Sequence, residues 1–159
     1  MKMDSEITYL KGDATDPIGE GNKIIVHICN DMGGWGKGFV MAISKRWKEP
    51  EKQYRTWYAI NGSLQLGEVQ FVPVSKDMWV ANLIGQHKIH KDEQGNAPIR
   101  YDAIETGLHK LTEFAKQHNA TVHMPRIGCG LAGGTWDKIE PIILNTLIKK
   151  QINVFVYDF

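Results

Sequence analysis

Two hydrophobic rhythms alternate along the chain. Residues 7–10 form a short β-rich run, after which Gly12-Asp13 reads as a turn. Residues 23–28, Lys-Ile-Ile-Val-His-Ile, are nearly continuously apolar and β-branched, the pattern of a strand buried on both faces. Phe39, Ala42, Ile43 and Trp47 then recur at helical spacing. Pro50 suits the first turn of a second helix, with Tyr54 and Trp57 or Tyr58 turned inward and Asn61-Gly62 closing it. Residues 68–74 and 78–84 predict a strand pair, and the polar stretch 85–98 predicts a surface loop. Ile104, Leu108, Leu111 and Ala115 mark a long amphipathic helix, and 121–124 a short strand. Ile139, Ile143 and Leu147 mark a last helix, and 152–157 a last strand. Pro141 conflicts with a helix starting at Trp136, because its ring and missing N–H disrupt interior turns; the expected start is Lys138 or later.

Strands alternating with helices predict an α/β fold with a mainly parallel sheet and helices on both faces. Ligands in such sheets bind beyond the carboxyl ends of the strands. Two glycine-rich loops fall there: 30–38, Asn-Asp-Met-Gly-Gly-Trp-Gly-Lys-Gly, and 128–134, Gly-Cys-Gly-Leu-Ala-Gly-Gly. Glycine lets a backbone approach a ligand closely, and a helix N-terminus offers free N–H groups, so the pair suits the two phosphates of a diphosphate. The plainer alternative is a pair of tight strand-to-helix turns. Neither loop is a Walker A, since Gly36-Lys37-Gly38 has no hydroxyl after the lysine, and neither is a dinucleotide fingerprint with its distant acidic residue.

Composition narrows the classes. The 159 residues predict one domain, 1–159, and 19 basic against 18 acidic residues give a charge of +1, so bulk charge calls for no nucleic acid. No apolar run approaches a membrane span, and residues 1–6 carry no leader-like apolar stretch; no membrane partner and a cytoplasmic location are expected. Cys29 and Cys129 read as reduced.

Gly12-Asp13-Ala14-Thr15, Val26-His27-Ile28-Cys29-Asn30, Gly33-Gly34-Trp35-Gly36-Lys37-Gly38 and Met124-Pro125-Arg126-Ile127-Gly128-Cys129-Gly130-Leu131 occur in the order expected of a macrodomain. The chain resembles that family from about residue 7 to 159. The Pro-Arg-Ile-Gly-Cys-Gly-Leu string is similar to the branch holding terminal ADP-ribose protein glycohydrolase and the fungal ADP-ribose-1″-phosphate phosphatase. The resemblance implies a three-layer α/β/α fold with a mixed, mainly parallel central sheet that binds ADP-ribose with no metal and no cofactor. By the same resemblance Asp13, with Ala14 beside it, accepts a hydrogen bond from the adenine amine, and Asn30 bonds the distal ribose. Gly33, Gly34, Gly36 and Gly38 line that ribose and its phosphate. Apart from the resemblance, Trp35 is unusual among glycines; it is expected as a lid over the ligand, with anchoring of the loop as the alternative. Gly128, Gly130, Leu131 and Ala132 form the phosphate loop, in one string with Arg126 and Cys129. Tyr157 and Phe159 wall the adenine. Each role has a structural alternative: an Asx turn at Asp13, a loop cap at Asn30, plain core at the aromatics and cysteines.

The match departs from the glycohydrolase at two positions. Gln86, itself expected among the ligand-binding residues, stands where its lysine belongs, and Ala132 where its aspartate belongs. Neither can be an amine nucleophile or a carboxylate base, so the covalent lysyl route is not expected, and Lys88 and Asp137 are not expected to replace them. The remaining catalytic candidates are His87, Asp31 and His27. Against them stand an exposed loop histidine, a solvated carboxylate and a hydrogen-bonded core histidine. His87 and His90 with Asp92 and Glu93 have no third metal ligand fixed by spacing. The expectation is a monomeric hydrolase acting at the distal ribose of ADP-ribose-1″-phosphate, O-acetyl-ADP-ribose, or an ADP-ribosyl ester on protein or nucleic acid. The alternatives are a non-catalytic ADP-ribose reader and an RNA-binding cleft, the latter disfavoured by balanced charge and no aromatic-basic stripe.

Overall fold

The computed structural model describes residues 5–159. Among them are strands β1 (Ile7–Lys11), β2 (Lys23–Asn30), β3 (Val69–Ser75), β4 (Met78–Gln86), β5 (Thr121–Met124) and β6 (Val154–Asp158). The helices are α1 (Phe39–Arg46), α2 (Glu49–Asn61), α3 (Tyr101–Gln117) and α4 (Trp136–Ile143). The strands form one sheet in the order β1-β6-β5-β2-β4-β3, and every neighbouring pair is parallel except the β3–β4 hairpin.

The apolar run of β2 follows from its central place. Ile24 and Val26 face a core shared with Ile104, Leu108 and Leu111 of α3 and Ile139 and Ile143 of α4. Ile25 and Cys29 face the opposite core, with Val40 and Ile43 of α1 and Tyr54 of α2. Period-two alternation on a strand covered on both sides therefore builds the three layers.

Several boundaries differ from the sequence expectations. The last helix starts at Trp136 rather than at Lys138 or later. Extended Thr135 accepts from the amides of Lys138 and Ile139, so the first turn closes before Pro141 intervenes. Buried Ile139 and Ile143 then hold the helix on the sheet, and a wider π-type turn at Leu144–Ile148 follows directly. The loop expected from residue 85 begins later, because buried Gly85 and Gln86 extend β4. The last strand is Val154–Asp158 rather than 152–157.

What positions the site is the exit of β2 and β4 from one edge. The register shifts between Cys29 and Asn30, so that Asn30 pairs with Gln86. The amide of Asp31 then donates to the Gln86 carbonyl at 3.1 Å, which ties the two outgoing chains together.

Gly107, in the middle of α3, sets how closely that helix seats on β4. A Cβ there would lie 2.5 Å from Cγ of fully buried Leu83. Alanine would gain about 1 kcal/mol of helix propensity, but overpacking a filled core costs about 1–3 kcal/mol. Gly107→Ala is therefore expected to lower the urea-unfolding free energy by up to about 2 kcal/mol; a variant about 1 kcal/mol more stable than the parent would show that the contact is easily relieved.

Candidate functional site

The loop after β2 turns around one side chain. Asn30 Oδ1 accepts from the amides of Met32 at 3.0 Å and Gly34 at 2.9 Å and from the Tyr54 hydroxyl at 2.9 Å, while Nδ2 donates to the Gly34 carbonyl at 2.9 Å. The amide expected to read a ribose is thus also the peg of the loop. Gly33 is required by geometry: its φ is +79°, and a Cβ would lie 2.5 Å from the Tyr58 ring. Trp35 is no lid. It is 5% exposed, donates from Nε1 to Ser44 Oγ at 2.8 Å and packs against His27 and Tyr54, because its indole completes the α1–α2 core. Sequence reasoning missed Arg55, whose guanidinium donates to the carbonyls of Gly33 and Trp35 at 3.2 Å each. A single basic residue on a helix face gives no sign of such a brace.

The second loop folds on itself. Gly134 N donates to the Gly128 carbonyl at 2.8 Å, and Gly133 N to that of Gly130 at 3.0 Å. Ala132 is buried and accepts from Ile99 N at 3.0 Å, Cys129 is half-buried, and Leu131 is exposed. The loops meet: a Cβ at Gly38 would lie 3.4 Å from Leu131 Cδ1. Gly36 and Gly130 face open space, leaving room for a ligand against the backbone. Arg126 is engaged elsewhere, gripping Asp158 at 2.8 and 3.0 Å with its guanidinium 5.2 Å from the rings of both Tyr9 and Trp136.

The adenine candidates gather where β1 and β6 end. Asp13 Oδ1 accepts from Thr15 N at 2.8 Å and Thr15 Oγ1 at 2.7 Å, and Arg46 lies 3.4 Å from Oδ2. Burial pushes this carboxyl up, but the Thr15 hydroxyl and amide and the Arg46 cation outweigh it and hold its pKa below the ordinary range. Arg46, in the last turn of α1, therefore belongs to this corner. Ala14 is buried beside it. The Tyr157 ring lies 3.5 Å from the Cβ position of Gly12, and its hydroxyl accepts from Ile18 N at 3.0 Å and contacts His123 Nδ1 at 2.7 Å. Phe159 is fully exposed.

Of the catalytic candidates, the structure joins two and sets one aside. His87 Nδ1 lies 2.6 Å from Asp31 Oδ2, and Asp31 Oδ1 accepts from Lys88 N at 2.8 Å. The Asp31 side chain is 13% exposed and that of His87 45%, so a shielded carboxylate orients an imidazole that still reaches solvent. His87 lines a groove of about 590 Å³ with Met32, Lys88, Ile89 and His90. Gln86 is buried and donates from Nε2 to the Lys88 carbonyl at 2.9 Å. Asp92 accepts from the amides of Gln94 and Asn96 and from Asn96 Nδ2 within its own loop.

His27 is a core residue, 2% exposed, whose Nε2 lies 2.6 Å from Asn82 Oδ1. Asn82 Nδ2 already serves Pro50 O and Gln70 Oε1, so its Oδ1 must accept and His27 must donate. Burial lowers the His27 pKa to about 4 and, aided by Lys23, that of His123 to about 4 as well. Burial likewise raises the thiols of Cys29 and Cys129, leaving neither a ready nucleophile. The unfolded chain takes up protons at both histidines near pH 6.5, where the folded one does not. Their contribution to stability is therefore whole above pH 6.5 and is lost as pH falls toward 4, on the order of 3 kcal/mol each at full shift. The urea midpoint is expected to fall between pH 7 and pH 4.5, with a shallower fall in His27→Gln; a pH-independent midpoint would contradict neutral burial.

No protein-family model matches the chain. Among solved structures, a protein of unknown function from Bacteroides thetaiotaomicron is 59% identical with a TM-score of 0.96, over 98% of this chain and 99% of that one. A macrodomain protein from Streptomyces coelicolor is 50% identical with a TM-score of 0.85, over 97% of this chain and 99% of that one. Among curated relatives, the chromodomain-helicase-DNA-binding protein 1-like of Mus musculus is 34% identical over 98% of this chain. The chain spans only 18% of the length of that protein and 16% of its Danio rerio counterpart. An ADP-ribose 1″-phosphate phosphatase from Meyerozyma guilliermondii is 26% identical, over 96% of this chain and 98% of its own. With half its residues shared with the Streptomyces protein over nearly the full length of both, and with the same three-layer architecture, the chain belongs to the macrodomain family.

Proposed function

We propose that this chain binds ADP-ribose and hydrolyses a derivative of it at the distal ribose, with the Asp31–His87 pair activating the water. The observation that carries this reading is the 2.6 Å contact between His87 Nδ1 and Asp31 Oδ2 beside the first glycine-rich loop. With its proton on Nδ1 the imidazole donates to Asp31, and Nε2 is left to accept a proton from water. The hydroxide so formed attacks the phosphorus of a 1″-phosphate or the carbonyl carbon of an acyl ester. The imidazolium, held by Asp31, then returns its proton to the departing ribose oxygen. The amides of the two loops hold the diphosphate, with space at Gly36 and Gly130. Asp13, kept ionised, accepts from the adenine amine. The relative named an ADP-ribose 1″-phosphate phosphatase supports this class of reaction. Gln86 and Ala132 support a route with no lysyl intermediate.

The same two residues favour a second reading, a non-catalytic reader of ADP-ribose on protein or nucleic acid. Multiple-turnover assays with ADP-ribose-1″-phosphate and O-acetyl-ADP-ribose separate the two. Steady turnover is expected, with His87→Gln and Asp31→Asn each lowering kcat by about 100-fold or more. ADP-ribose affinity should change by less than about three-fold, since neither residue is asked to hold the diphosphate. Tight binding with no turnover would establish the reader, and full activity in His87→Gln would remove the pair from the chemistry.

A further inference from the structure

Three non-glycine residues among those described have positive φ: Lys88, Asn119 and Gln151. Asn119 and Gln151 lie just past helical segments, where left-handed residues commonly close a turn. Lys88, at φ +60°, lies instead in the turn leaving β4, two residues past Gln86. A side chain held in this conformation persists only where its surroundings fix it. Both peptide groups of Lys88 are held: its N–H donates to Asp31 Oδ1 at 2.8 Å, and its carbonyl accepts from Gln86 Nε2 at 2.9 Å. Behind them the Gln86 carbonyl accepts from Asp31 N at 3.1 Å, and in front His87 Nδ1 meets Asp31 Oδ2 at 2.6 Å. His87 N is fixed to the Pro98 carbonyl at 2.8 Å. The contacts close a ring through Asp31, Gln86, His87 and Lys88.

Gln86 enters that ring twice, through its carbonyl and through its side chain. It is 8% exposed, and its amide donor is spent on the strained turn. We infer that Gln86 is a positioning residue: by pinning the Lys88 carbonyl it fixes the left-handed turn that presents the His87 imidazole to Asp31. It touches no reacting atom and acts through His87. The inference rests on the water-activating role given to the Asp31–His87 pair, and it explains why an amide suits the place where the resembling glycohydrolase has a lysine. A short, neutral donor locks the turn and adds no cation beside the imidazole.

The test uses the full chain with Gln86→Ala and Gln86→Glu, the latter nearly isosteric but without the donor. Proton–nitrogen NMR of the histidine ring reads the Nδ1–H shared with Asp31 whether or not the chain turns over substrate. Both variants are expected to lose that signal, to bind ADP-ribose within about three-fold of the parent, and to lose about 10- to 100-fold in kcat with KM little changed. Placing Lys88→Gly in the Gln86→Ala chain removes the left-handed cost and should recover about five-fold of the lost kcat and part of the NMR signal. A Gln86→Glu chain that keeps the Nδ1–H signal and kcat overturns the inference, as does absence of recovery in the double variant. Should Gln86→Glu not fold, the NMR signal of the double variant decides alone. An inert His87→Gln with fully active Gln86 variants sinks this inference and spares the pair. A fully active His87→Gln sinks the catalytic reading itself, while loss of the NMR signal in the Gln86 variants would still show the positioning.

Discussion

The parallel pairing of β2 with β4 is the constraint on which the rest depends. Parallel strands leave a sheet on the same edge, so residues 56 apart in sequence, Asp31 and His87, emerge side by side. The one-residue shift at Cys29/Asn30 matters as much. It sets Asn30 against Gln86 and lets the next amide, that of Asp31, hold the Gln86 carbonyl. Without it the two exits would be neighbours but not tied.

That pairing survives because both faces of the sheet are covered. Polar side chains inside it must find partners in register, and His27 faces Asn82 across the same strand pair. The first loop borrows rigidity from this core through Tyr54, which holds Asn30, and through Trp35, which anchors between α1 and α2. Several polar groups near the cleft thus hold shape, while the His87 side chain stays half-exposed beside them.

Features that leave a periodic mark were legible in the sequence. Burial on both faces made β2 a continuous apolar run, one covered face gave α3 its stripe, and tight turns with close internal packing left glycine-rich stretches after two strands. Asp31 and His87 could each be named because their residue types suit proton transfer, but nothing local said that they touch. Trp35 read as a lid because a tryptophan among glycines has no local partner, while its real partners, Ser44, Tyr54 and His27, come from three elements. Arg126 read as part of the ligand string, yet its grip on Asp158 joins the ends of β5 and β6. The start of α4 was misplaced because local proline chemistry was weighed without the packing of Ile139 and Ile143. The Gln86–Lys88 clamp was invisible, since a backbone dihedral leaves no letter in the sequence.

A crystal structure of the chain with ADP-ribose bound decides whether the Asp31–His87 pair serves the distal ribose. The diphosphate is expected against the amides of 33–38 and 128–134, with the anomeric carbon of the distal ribose one water away from His87 Nε2, about 4–5 Å. A distal ribose seated far from His87, with no path for a water between them, would contradict it.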